Sequence, residues 1–359
     1  MRIGIDAREL CGRPTGAGRY LRGLLGEWAR GSDRRRHEFV LYAPEPLTVA
    51  LDAHRFATRL VAGPPGTWWE QVRLPRAARA DQLDVFFSPA YSTPLNLDLP
   101  ALVAIHDVSF IAHAEWFRMR EGIRRRWLTR ESARRARGIV TISEFTRGEI
   151  AEHLGIADAR VRVIPPGVTA GTALRCDAAR PERVLFVGSI FNRRHVPDLI
   201  RAFGRLARRR PAASLDLVGD NRTYPHEDVR QLIDAELLHG RIRWHEYASD
   251  EQLQQLYAEA AAFAFLSEYE GLGLTPLEAL ASGVPPVLLD TPVAKESCGG
   301  AALYVASGDL SAMAAALEQL LDDSETRARL LAAAPGVLAK YQWPRAADDT
   351  LAFLESVVA

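Results

Sequence analysis

The chain has 359 residues, 48% of them hydrophobic, which is enough for two domains of ordinary size with a core each. Its 45 Lys and Arg are matched by 45 Asp and Glu, so no basic excess points to nucleic acid as a partner. The three cysteines, Cys11, Cys176 and Cys298, are scattered and odd in number, and they supply neither a disulfide framework nor a metal-ligand cluster.

The first expected element is the strand Met1-Arg2-Ile3-Gly4-Ile5-Asp6. Because the chain opens on a strand, no secretory leader is expected and a cytoplasmic protein is. Next comes Pro14-Thr15-Gly16-Ala17-Gly18-Arg19-Tyr20, a small-residue loop before a helix. Backbone N–H groups at Gly16 and Gly18 can meet a phosphate there, but a Gly-x-Gly is also the mark of an ordinary turn. Apolar runs at 38–42, 84–88, 101–106 and 138–143 read as buried strands separated by helical patterns. His106 and Asp107 fall at the end of one of them, and a lone His in such a place is more often structural than catalytic.

Trp116, Met119, Ile123 and Trp127 then recur at helical spacing among nine arginines between Arg118 and Arg137. Such a helix either turns its apolar stripe to the core or lies on an anionic membrane surface. No apolar run reaches the ~20 residues that span a bilayer. Pro165-Pro166-Gly167 and the weakly patterned stretch to Pro181 mark a hinge. The expected domains are therefore 1–168 and 169–343.

Strand-helix alternation resumes at 184–188, 214–219, 242–245 and 286–289, so both halves are α/β with parallel sheets. After the first of these strands stand Gly188, Ser189, Arg193, Arg194 and His195. Two adjacent guanidinium groups at a strand end suit a diphosphate; otherwise they make a solvated basic turn. The run 260–267 reads as a further buried strand, a pattern that a buried helix shares, and is followed by Glu270-Gly271-Leu272-Gly273-Leu274-Thr275-Pro276-Leu277-Glu278. Here Thr275 is placed as an N-cap, Pro276 as the first helical residue and Glu278 as the partner in a capping box. A helix start and a flexible backbone beside two carboxylates can hold a hydroxyl-rich anion. Glu296, in Pro292-Val293-Ala294-Lys295-Glu296, is expected on a supporting loop, and the segment from Trp343 onward reads as a helix.

The Glu270–Glu278 segment resembles the Glu-x7-Glu signature of family-4 retaining glycosyltransferases. Leu272 stands where Phe is common, and Thr275 where Pro or Ser is common. The likeness extends along nearly the whole chain. It is strongest at Val184–Phe203 and Ser267–Val305, and present at Met1–Leu24 and Leu102–Phe117, where His106 matches a Thr-x-His-Asp pattern. Arg194 sits in a lysine position and His195 in an asparagine position.

The resemblance implies a GT-B fold of two Rossmann-like domains, with an acceptor domain at 1–168 joined by the helix 344–359. It also implies a donor domain at 169–343 and a site in the cleft between them. It implies transfer from a nucleoside diphosphate sugar to a glycan or lipid-linked acceptor, with no cofactor and no metal. His106 and Glu270 take the reaction centre. Gly16, Gly18, Gly188, Ser189, Arg193, Arg194, Gly271, Leu272, Gly273, Leu274, Thr275 and Glu278 take the donor. A departure at Glu246, where the family has a glycine near the base, leaves the base open. A sugar-nucleotide epimerase and a non-catalytic sugar-nucleotide binder of the same architecture stay as alternatives.

Overall fold

The structure, a computed structural model, describes residues 1–12, 15–31, 37–47, 49, 51–52, 54–169 and 182–358, apart from the side chains of 120 and 121. Pro14, Cys176, the Arg120 side chain and most of the expected hinge lie outside the described residues. The chain divides into two compact units. One is Met1–Ala114, Met119–Gly167 and Tyr341–Ala359; the other is Glu115–Arg118 and Val168–Lys340.

The first unit holds strands β1 (Arg2–Asp6), β2 (Glu38–Ala43), β3 (Phe56–Leu60), β4 (Val85–Ser88), β5 (Ala101–Ala104), β6 (Gly138–Thr141) and β7 (Val161–Val163). They form one parallel sheet in the order β3-β2-β1-β4-β5-β6-β7. The strands are apolar on both faces because helices cover both. Ile3, Ile5, Leu41 and Phe87 point to one core with Leu24 and Trp28. Val40, Tyr42 and Phe86 point to another with Trp69 and Leu74.

The helix Trp343–Val358 packs into the first of these cores through Ala347, Phe353 and Leu354, and Trp28 Nε1 donates to the Ala347 carbonyl at 3.0 Å. Burying a side chain such as Phe353 contributes about 2–3 kcal/mol, so the last segment of the chain is integral to this unit.

The second unit holds β8 (Arg183–Val187), β9 (Ser214–Val218), β10 (Ile242–His245), β11 (Ala262–Phe265), β12 (Pro286–Leu289) and β13 (Leu303–Val305). They too are all parallel, in the order β10-β9-β8-β11-β12-β13. The order reverses at β8, and in such sheets ligands bind beyond the strand C-termini where it does so. The residues after β8 and β11 are therefore the place to look.

Candidate active site

In the second unit β8 is followed by Gly188, whose φ of +146° L side chains rarely adopt. A Cβ there would also lie 2.5 Å from Arg194 Nη1, so the bare backbone makes room for that guanidinium. The chain then forms the short turn Asn192–Arg194. Arg194 Nη1 donates to the Ser189 carbonyl at 2.9 Å, and its Nε donates to Glu270 Oε1 at 2.7 Å. Ser267 Oγ donates to the same carboxylate oxygen at 2.9 Å. Arg193 lies over the Phe191 ring at 4.4 Å, and its buried Nε has no hydrogen-bond partner.

Burial alone would raise the pKa of Glu270. The charges of Arg194 and Arg193, with the hydrogen bonds from Arg194 and Ser267, outweigh it and hold the carboxyl below the usual carboxylate range. The loop after β11 thus brings Glu270 to the arginines that the sequence places after β8.

The helix that follows is Leu274–Ala281, and its N-cap is Gly273 at φ +86°, not Thr275. The expected capping box is absent. Thr275 and Pro276 are already inside the helix, and the Thr275 hydroxyl is buried without a hydrogen-bond partner. A left-handed glycine starts this helix and brings no side chain to cap it. A capping box forms instead at Ser249 and Gln252. Glu278 is half-buried and accepts from the Tyr257 hydroxyl at 3.4 Å. Gly271 and Leu272 are buried, and Gly273 and Leu274 are half-buried at the helix start. Glu296 lies on the helix Pro292–Cys298 rather than on a loop. Glu246 is exposed and paired with Arg230 at 3.2 Å.

In the first unit His106 stands just past β5. Its Nε2 lies 2.7 Å from the Pro89 carbonyl, which can only accept, so this nitrogen carries the proton and Nδ1 is left as an acceptor. Burial holds its pKa below the ordinary imidazole value. Tyr20 meets its ring edge-on at 4.8 Å. Asp107 orients the turn, accepting from the Ser109 amide at 2.9 Å and from the Tyr91 hydroxyl at 2.6 Å.

The helix after Thr15 is Gly16–Arg30, and Thr15 Oγ1 accepts from the Gly18 amide at 3.0 Å. That amide is spent on the cap. Gly18 is small because the Glu9 carbonyl would lie 2.3 Å from a Cβ there, while Gly16 faces open space.

Sequence reasoning missed a buried charge cluster in this unit. Asp6 and Glu70, 2% and 1% exposed, share Arg8 Nη2 at 3.0 and 2.9 Å, and Ser92 donates to Glu70 at 2.6 Å. Burial pushes Asp6 up to about 6, against the pull of Arg8. Asp6 was visible as a strand end, but nothing in the pattern around Glu70 marks it as a partner. Among the described residues Glu149, Glu152 and His153 bring possible metal-ligand atoms within 4.8 Å of one another, on the surface of one helix.

The paired parallel sheets define a fold class, GT-B. The structure superposes on that of Anabaena Alr3699/HepE in complex with UDP and glucose, with a TM-score of 0.76 at 18% identity, over 99% of this chain and 100% of that one. Residues 14–171 match the family described as Glycosyltransferase Family 4, and residues 178–336 match Glycosyl transferases group 1. The chain belongs to the family-4 glycosyltransferases.

It is 26% identical to the O-antigen chain mannosyltransferase B of Escherichia coli over 281 residues, 74% of this chain and 73% of that protein. It is 29% identical to a glycogen synthase of Mycobacterium tuberculosis over 276 residues, 73% of this chain and 64% of that protein. The match thus spans just under two thirds of the synthase.

Proposed function

We propose that the protein is a retaining, metal-independent transferase. It moves a hexose-type sugar from a nucleoside diphosphate sugar to a hydroxyl of a glycan or glycolipid, in cell-surface polysaccharide or glycoconjugate assembly. One observation carries the reading: Arg194 is fixed between the Ser189 carbonyl and Glu270 at the end of β8, with Arg193 beside it.

Two guanidinium groups at a strand end neutralise charge as it builds on a departing diphosphate. They do this without a metal ion. Glu270, with its charge already shared with Arg194, is a weak nucleophile and a good acceptor for sugar hydroxyls. Glu278, beside a helix start, accepts from ribose hydroxyls. In the first unit, the free Nδ1 of His106 accepts a hydroxyl of the transferred sugar. On this reading 1–168 with the last helix serves the acceptor and 169–343 the donor.

The test is a panel of UDP-, GDP-, ADP- and CDP-hexoses with glycan acceptors, read by NMR for the anomeric configuration of the product. GDP-mannose and UDP-glucose are included because similar proteins are named for mannosyl transfer or bind UDP and glucose. A retained anomer formed in the presence of EDTA is expected. An inverted anomer, or a need for metal, overturns the corresponding part. An isomerised donor marks an epimerase, and a donor bound but unchanged marks a binder. Arg194→Ala should lower kcat about tenfold or more, since leaving-group stabilisation is lost.

A second observation favours a peripheral contact with anionic lipid. On the helix Met119–Arg135 the stripe Met119, Ile123 and Trp127 is 76%, 55% and 57% exposed, and Leu128 and Ala133 take the core instead. Trp116 falls in a separate turn, Ala114–Trp116. Arg124, Arg130, Arg134 and Arg135 are exposed alongside the stripe. An apolar face rimmed by arginine suits the headgroup boundary. No helix among the described residues is long and apolar enough to cross a membrane. Phosphatidylglycerol vesicles should bind the protein at low salt and release it at high salt; failure to bind at low salt removes this contact.

A further inference from the structure

We propose that His195 is a positioning residue of the diphosphate site, bracing the arginine turn against the Glu270 loop through Glu268. The inference rests on the reading of that turn as diphosphate-binding.

His195 has φ +45° and ψ +39° and joins the turn Asn192–Arg194 to the helix Val196–Arg209. Few side chains tolerate this left-handed conformation; Asn, Asp and His are the ones enriched there. That accounts for a histidine serving at this position as backbone. The histidine reaches further. Its Nε2 is shielded from solvent, has no hydrogen-bond partner, and lies 3.2 Å from Glu268 Oε2. Asp198 Oδ2 is 3.7 Å from Nδ1. Arg201, Glu227 and Asp228 are the other charged groups lining the adjoining cavity of about 470 Å³.

Glu268 is itself tied to the turn, since its amide donates to the Arg193 carbonyl at 2.9 Å. Turn and loop therefore meet at three places: two hydrogen bonds, from the Glu268 amide to the Arg193 carbonyl and from Arg194 to Glu270, and the approach of His195 to Glu268, which is an ion pair when the imidazole is protonated. A diphosphate must compete with Glu270 for Arg194. The tie through Arg194 weakens when it is most needed, whereas the His195 tie does not involve the ligand. Support of this kind is what keeps a site in register while its own groups change partners.

A double-mutant cycle of His195→Asn and Glu268→Gln tests the brace. Asparagine keeps the left-handed backbone but is too short to reach Glu268. Calorimetry with UDP and with GDP should show each single variant binding about threefold to tenfold more weakly. The double variant should be no weaker than the poorer single one, because both remove one interaction. Melting temperatures of His195→Asn and wild type should agree within a few degrees, with His195→Ala below both. Additive losses, or a His195→Asn variant that binds as tightly as wild type, overturn the brace. So does coupling seen in melting temperature alone. A wild-type protein that binds neither nucleotide overturns the diphosphate reading itself, and the brace with it.

Discussion

At the scale of single residues, the structure separates two roles that the sequence leaves merged at Glu278. A Thr-x-x-Glu string signals a capping box, and a carboxylate so used stabilises a helix by about 1 kcal/mol. Gly273 starts the helix instead, so the Thr275–Glu278 capping box does not form. Glu278→Gln should weaken nucleotide binding several-fold; because an amide oxygen can still accept from the Tyr257 hydroxyl, the melting temperature should fall by no more than a few degrees. Calorimetry and thermal denaturation on one preparation decide it.

Asp6 gives a pH signature of the opposite kind. Its pKa rises from 3.8 to about 6 in the folded state, so the native protein binds the extra proton between those values. Stability then falls as pH rises through that window and levels off above it. Asp6→Asn removes the titration. The difference in melting temperature, variant minus wild type, should climb between pH 4 and pH 6.5 (about the span of the two pKa values) and be flat beyond it. A flat difference throughout means that Arg8 holds Asp6 ionised.

Elements were legible in the sequence where they are buried on both faces. The runs at 38–42 and 286–289 appear as β2 and β12 almost residue for residue, and 242–245 matches the edge strand β10 although only Ile242 is buried there. The strands that escaped notice are β3, β7 and β13, at the edges of the two sheets. β3 reads Phe-Ala-Thr-Arg-Leu with only Phe56 buried, and a half-solvated edge carries no continuous apolar run. The site followed the same logic. Arg193, Arg194, Glu270 and Glu278 were legible because motif and strand end coincide. Glu70 was not, because its partners Arg8 and Ser92 lie far off in sequence and only the tertiary fold joins them.

Helix propensity alone gives a wrong sign at those glycines of Gly16–Arg30 whose added Cβ would clash, Gly18 among them. A Gly-to-Ala change in a helix gains about 1 kcal/mol. At Gly26, where nothing lies within 4 Å of an added Cβ, that gain should appear in full. At Gly18 the Glu9 carbonyl stands 2.3 Å away and is backbone, which cannot swing aside. Overpacking of this kind costs about 1–3 kcal/mol, so Gly18→Ala should destabilise while Gly26→Ala stabilises. Urea denaturation of the two variants checks the contrast.

For the whole molecule, what matters is which unit owns the end of the chain. Residues from Tyr341 onward group with the first unit although they follow the second in sequence. The indole of Trp343 explains the attachment. A Cβ at Gly23 would lie 2.4 Å from its ring, and one at Gly167 would lie 2.2 Å from it, so two glycines are hollowed out to receive one tryptophan. Gly167 closes the Pro-Pro-Gly string, so the same indole also anchors the end of the first unit's main segment.

Trp343 is only half-buried, and its loss should cost on the order of 2 kcal/mol, below the range for a fully buried tryptophan. The location of the damage is the sharper prediction. In Trp343→Ala, native-state hydrogen exchange should speed up in Trp343–Val358 and in Gly16–Arg30, while amides of β8, β9 and β11 keep their protection. Gly23→Val should reproduce the pattern from the other side of the contact, by filling the hollow instead of emptying it. Equal loss of protection in β8, β9 and β11 would mean that the two units unfold as one, and that the terminal helix does not stabilise the first unit selectively.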